Sequence, residues 1–186
     1  MSFEFVVIGT SLGGLSALQT IIGNLPADFL VPIAIVQHRH KNSDSTLQEL
    51  LQENSFLPIQ EVEDKDEILP GQVYLAPPDY HLLVEAGYFA LSIDEPVSYA
   101  RPSIDVLFES AADIYAEQVI GVILTGANQD GTQGLKKVKA RGGMAIVQEP
   151  ATAESSIMPA AAISAVKVDG ILPLSEIASL LVKLCQ

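Results

Sequence analysis

Phe5-Val6-Val7-Ile8-Gly9-Thr10-Ser11-Leu12-Gly13-Gly14 runs from four apolar residues straight into glycines and hydroxyls. The apolar part is short and rich in β-branched residues, as a strand buried on both faces should be. Leu15, Leu18, Ile21 and Ile22 follow at helical spacing, and Asn24-Leu25-Pro26 stops that helix. A strand, a tight glycine turn and a helix in direct succession are the opening unit of a parallel α/β fold.

The same alternation continues along the chain. Val31 to Val36 reads as a second buried strand ending at Gln37-His38, and Ser45–Glu53 as a helix with Leu47, Leu50 and Leu51 as its apolar stripe. Asp64-Lys65-Asp66-Glu67 and a Pro70-Gly71 turn lead to a strand over Gln72–Ala76. His81–Glu85 and Tyr88–Ile93 flank Ala86-Gly87 and predict an antiparallel hairpin insert. Pro102-Ser103 opens a helix to about Glu117, with Val106, Leu107, Ala111 and Ile114 expected to face inward. Strands at Val119–Leu124, Met144–Gln148 and Val168–Leu172 alternate with helices near Gly131–Ala140, Pro159 and Leu174–Leu184. The expected architecture is therefore α/β, a mainly parallel doubly wound sheet with helices on both faces and a short hairpin insert. No repeat or long linker interrupts it, so residues 1–186 are expected to form a single domain.

Composition narrows the function. Apolar residues make up 48% and charged residues 18%, values of a folded chain rather than a disordered one. A net charge of −13 argues against nucleic acid, which needs clustered Lys and Arg, and against anionic membranes. No apolar run is long enough to span a bilayer, and Met1-Ser2-Phe3-Glu4 lacks the basic region of an export signal, so the cytoplasm is the expected location. The one cysteine, Cys185, rules out an internal disulfide and reads as a frayed terminal thiol.

Gly9-Thr10-Ser11-Leu12-Gly13 matches G-x-S-x-G between a strand and a helix. Small neighbours let the backbone fold sharply and leave the serine hydroxyl exposed as a nucleophile. The same glycines also suit a phosphate-binding loop, although no Gly-Lys-Ser/Thr follows, or a purely structural turn. His38 ends the next strand, which a right-handed crossover would place beside the first. A lone histidine is often structural, and Asp130 could equally cap the helix that begins near Gly131. Yet Ser11, His38 and Asp130 all fall beyond the carboxyl ends of predicted parallel strands, the edge at which open α/β sheets bind ligands. In the resulting mechanism Ser11 attacks, His38 takes its proton and Asp130 orients the imidazole. Backbone N–H groups near the Ser11 turn, such as Leu12, or in the Gly126–Asn128 loop would stabilise an oxyanion. No metal site is expected, because the acids near His38, His40 and His81 are scattered.

Several stretches together resemble the catalytic domain of chemotaxis protein-glutamate methylesterases (CheB). They are Val7 to Gly14, Val36-Gln37-His38, Leu69-Pro70-Gly71 with Tyr74-Leu75-Ala76-Pro77, Arg101 to Phe108, Gly121 to Gly126 with Asp130-Gly131, and Met158-Pro159. They stand in the family's order and cover almost the whole chain. The resemblance implies a seven-stranded α/β domain whose Ser–His–Asp triad falls on Ser11, His38 and Asp130, with Ala127 supplying a backbone oxyanion donor. It implies hydrolysis of glutamate γ-methyl esters, and deamidation of glutamines, on chemoreceptors or other methyl-accepting signalling proteins, with no cofactor. It also implies that the receiver domain usual at the amino terminus is missing here.

Departures from the family pattern cluster at the site. Leu12 stands where threonine is usual, and Thr125-Gly126-Ala127-Asn128-Gln129-Asp130-Gly131 replaces T-G-M-G-N-D-G. Asn128 tolerates a left-handed backbone, and the loss of methionine bears on the substrate pocket more than on a backbone donor. Arg39-His40-Lys41 replaces the usual methionine-proline pair and forms a basic cluster, either solvated or facing an anionic partner. These changes leave two other readings open, a non-catalytic docking domain and a nucleotide-binding α/β protein using the Gly9–Gly14 loop.

Overall fold

The computed structural model describes residues 2–186. A seven-stranded sheet runs through the molecule in the order β3-β4-β2-β1-β7-β8-β9, and every neighbouring pair in it is parallel. Its strands are β1 (Phe5–Thr10), β2 (Ile33–Gln37), β3 (Ile59–Glu61), β4 (Val73–Leu75), β7 (Val119–Ile123), β8 (Met144–Gln148) and β9 (Gly170–Leu172). The hairpin of β5 (His81–Glu85) and β6 (Tyr88–Ser92) forms a separate two-stranded antiparallel sheet, to which Glu67 adds an isolated antiparallel bridge at Tyr88.

Alternation of side chains across β1 builds two cores. Val6 and Ile8 pack with α1 (Gly14–Ile22), Leu51 of α2 (Thr46–Gln52) and α6 (Leu174–Cys185) on one face. Phe5 and Val7 pack with α3 (Ile104–Tyr115), α4 (Thr132–Ala140), α5 (Ile157–Ala165) and the hairpin on the other. All six residues of β1 are buried, and each large side chain there contributes about 1.5–3 kcal/mol on leaving water.

The strand order reverses between β1 and β7. From β1 the chain passes to β2, then to β3 at one edge and back to β4 between those two, before it returns to β7 beside β1 and continues through β8 to β9 at the other edge. Loops leaving the carboxyl ends of β1 and β7 therefore diverge, and the crevice between them is the standard ligand position of such sheets.

Some expectations need correcting. The strand β3 is absent from the sequence reading, because only three residues pair and two of them, Gln60 and Glu61, are polar. Ile114, expected inside, is 41% exposed, and Val106 is only half-buried. The inward face of α3 keeps the expected Leu107 and Ala111 and adds Ile104, Phe108 and Ala112. Cys185 is no frayed thiol either, since it ends α6, packs against the core and has its pKa pushed up to about 11 by burial.

Candidate active site

Ser11 follows the last residue of β1, and its backbone is tied down on three sides. Its N–H donates to the Thr125 carbonyl at 3.0 Å, while its carbonyl accepts from Gly14 N–H at 2.9 Å and from Gln37 Nε2 at 2.9 Å. Gly13 makes the turn with φ of 80°, a left-handed conformation that few residues other than glycine adopt readily. The Ser11 side chain is left half-buried at the wall of an open cleft, with Leu12 54% exposed beside it.

His38 leaves the end of the neighbouring strand β2, and its N–H donates to the Thr10 carbonyl at 3.1 Å. The crossover expected from sequence thus brings the two strand ends side by side, and Ser11 and His38 line the same cleft. Across that cleft stand Tyr99, Ala100, Arg101 and Asn128.

Asp130 lies in the loop after β7 and is fully buried. Its Oδ2 accepts from His38 Nε2 at 2.7 Å and from Ile104 N–H at 2.7 Å. Its Oδ1 accepts from Ser103 Oγ at 2.9 Å and from the N–H groups of Asp105 and Gly131, each at 3.0 Å. Asp130 does cap a helix, as the alternative reading expected, but chiefly α3 rather than the α4 that follows it. The positive end of α3 and these donors favour the carboxylate. Burial alone would raise its pKa, but the His38 contact and the Ile104 and Asp105 N–H groups outweigh that and hold it below the ordinary value.

Because an ionised carboxylate only accepts, His38 Nε2 carries a ring proton, and in the neutral imidazole Nδ1 then carries the lone pair. That lone pair meets Asn128 Nδ2 at 3.1 Å. No hydrogen bond joins Ser11 Oγ to His38 among the described residues; the structure couples His38 to Asp130 and sets Ser11 on the same cleft.

The two expected backbone donors are free. Neither the Leu12 nor the Ala127 N–H enters a hydrogen bond among the described residues, and Ala127 is exposed. Asn128 does not adopt a left-handed backbone. The basic cluster is smaller than its sequence suggests, since the Arg39 side chain is 8% exposed and pairs with Glu61 and the Ala76 carbonyl. His81 is structural, accepting from Ser103 N–H at 3.2 Å and donating to the Glu95 carbonyl at 3.0 Å. Among the described residues no group of three His, Cys, Asp or Glu could hold a metal, and no helix is long and apolar enough to cross a membrane.

Sequence reasoning missed the supports. Gln37 reaches from β2 to the Ser11 carbonyl, and Thr125 Oγ1 donates to the Leu12 carbonyl at 2.8 Å. Ser103 was visible as a residue opening a helix, but only the folded topology aims its hydroxyl at Asp130.

Comparison with known proteins gives a consistent result. The family model described as CheB methylesterase matches residues 6–181. A Leptospira interrogans (serovar copenhageni, strain Fiocruz L1-130) relative is 51% identical over 187 residues, covering 100% of this chain and 97% of the relative. The protein-glutamate methylesterase/protein-glutamine glutaminase of Thermotoga maritima is 39% identical over 188 residues, covering 99% of this chain and 55% of that protein. The crystal structure of the Thermotoga maritima CheB methylesterase catalytic domain superposes with a TM-score of 0.95 at 39% identity, over 99% of this chain and 100% of that one. A parallel sheet with its crevice between β1 and β7, matched so closely over its whole length, makes this chain a member of the CheB methylesterase family and a carboxylic ester hydrolase.

Proposed function

We propose that this enzyme demethylates glutamate γ-methyl esters, and deamidates glutamines, on chemoreceptors or related methyl-accepting proteins through Ser11, His38 and Asp130. The observation that carries the reading is the 2.7 Å contact between His38 Nε2 and Asp130, which leaves Nδ1 as a base on the cleft that holds Ser11.

In this mechanism Ser11 Oγ attacks the ester carbonyl carbon while its proton passes to His38 Nδ1. The oxyanion is met by the free N–H groups of Leu12 and Ala127, from the two sides of the crevice. Collapse breaks the C–O bond to the methoxy group, which leaves as methanol with the proton from His38. Water, deprotonated by the same nitrogen, then hydrolyses the acyl-serine to glutamate. With glutamine as substrate the first leaving group is ammonia. Asp130 stays ionised throughout and stabilises the imidazolium.

Mass spectrometry of methylated receptor fragments tests this assignment. The wild-type enzyme is expected to convert glutamyl methyl esters to glutamate, and His38→Gln to leave them intact. Equal conversion by both would remove His38 from the mechanism.

A further inference from the structure

We propose that Asn128 is a positioning residue that occupies the lone pair of His38 Nδ1 in the resting enzyme, so that Ser11 must displace an amide before it can be deprotonated. The inference rests on the assignment of Ser11 and His38 as nucleophile and base.

The orientation of the Asn128 amide is set by its second contact. Its Oδ1 accepts from Asp130 N–H at 3.0 Å, which turns Nδ2 towards His38 Nδ1 at 3.1 Å. Exchanging oxygen and nitrogen would set one donor against the Asp130 N–H and one acceptor against the Nδ1 lone pair, losing both bonds. The tautomer is fixed from the other side of the ring by Asp130, so Nδ1 has nothing to offer Asn128 but its lone pair. One loop, Asn128 to Asp130, therefore grips both ring nitrogens of the same histidine.

An imidazole nitrogen accepts one good hydrogen bond at a time. While Asn128 holds it, Ser11 lines the cleft with no hydrogen-bond partner for its hydroxyl among the described residues. Turnover requires an exchange in which the Ser11 O–H replaces the Asn128 N–H at Nδ1, and the Oγ proton then passes to that nitrogen. The imidazolium so formed carries Nδ1–H, which would face an amide donor if Asn128 stayed in place. The amide must therefore remain turned away through the chemical steps, and a substrate oxygen in the cleft is an acceptor for it. Asn128 thereby damps Ser11 towards ligands too small to take up that amide. Backbone geometry gives no competing reason for the residue, since its φ is not in the left-handed range.

The test compares labelling of Ser11 by a small fluorophosphonate in wild type, Asn128→Gly and Asn128→Ser, with Ser11→Ala as the blank. Serine keeps an acceptor for the Asp130 N–H but is too short to reach His38. Both variants are expected to label about 3- to 10-fold faster than wild type, the worth of one hydrogen bond. Nitrogen-15 NMR of the His38 ring provides a second readout that loop stability alone would not move. Nδ1 is expected to lose the signature of an accepted hydrogen bond in both variants while Nε2 stays protonated. Unchanged or slower labelling with unchanged Nδ1 resonances overturns the proposal. Absence of labelling in every form, wild type included, would overturn the assignment of Ser11 instead, and the Nδ1 resonances would still decide the role of Asn128.

Discussion

Asp130 carries more of the site than any other residue, because five donors converge on one buried carboxylate. Replacing it with asparagine keeps the size but sets an NH₂ group against N–H donors and removes the charge that selects the His38 tautomer. On the proposed mechanism, and by comparison with known hydrolase triads, ester hydrolysis by Asp130→Asn is expected to fall by roughly 10³–10⁴. The loss of a buried acceptor at the start of α3 should also lower stability by about 1–3 kcal/mol, and kinetics with thermal unfolding measure the two effects separately. Activity within a few-fold of wild type would show that His38 does not depend on this carboxylate. At this scale the sequence was legible in part. The G-x-S-x-G turn and the strand-end positions of Ser11 and His38 could be read from local pattern. The roles of Gln37, Ser103 and Asn128 could not, since each acts on a partner distant in the chain or on another residue's side chain.

Close approach between β1 and α3 links the elements. A Cβ on Gly9 would lie 2.3 Å from Ile104 Cγ2, and Ile104 is the first residue of α3 whose N–H holds Asp130. Gly9→Ala is therefore expected to destabilise the fold by about 1–3 kcal/mol through overpacking. Ile104→Ala, though destabilising alone, should recover part of that loss when combined with it. A double-mutant cycle by denaturant unfolding reads this coupling, and strictly additive effects would refute it. Elements with strong periodicity were legible in sequence, β1, β8 and α6 among them. Ile59–Glu61 was not, because its place as a strand comes from pairing with β4 rather than from its own pattern. The orientation of α3 was misread at Ile114 because the helix is anchored at its N-terminus by Asp130, a tertiary contact that sets which face turns inward.

Two carboxylates at the start of α3 give the whole molecule opposing pH dependences. Burial pushes the Asp105 carboxyl up to about 6 from 3.8, with the nearby Asp130 charge adding to the effect. Its folded form thus keeps a proton that the unfolded chain releases, so stability from this group is full at low pH and falls as pH rises between 3.8 and about 6. Asp130 behaves in the opposite sense, since its depressed pKa gives stability that is present above the unfolded value of 3.8 and lost as pH falls through the folded one. Asp105→Asn keeps an acceptor for Gly134 N–H, now at 2.7 Å from Asp105 Oδ1. The variant is expected to match wild type near pH 4 and to exceed it by about 2–3 kcal/mol near pH 8. A stability difference that stays constant between those pH values would contradict this account. The α/β class was visible in the sequence through its alternating elements, whereas the coupling of α3, α4 and the β7 loop into one charged cluster was not.

Release of methanol from methylated chemoreceptor membranes, compared between wild type and Ser11→Ala, tests the central claim most directly. The Ser11 hydroxyl makes no hydrogen bond among the described residues, so the variant should fold as wild type does. Methanol released by the wild type and abolished in Ser11→Ala is the predicted result. Release undiminished in a folded Ser11→Ala protein, or none from the wild type, would contradict it.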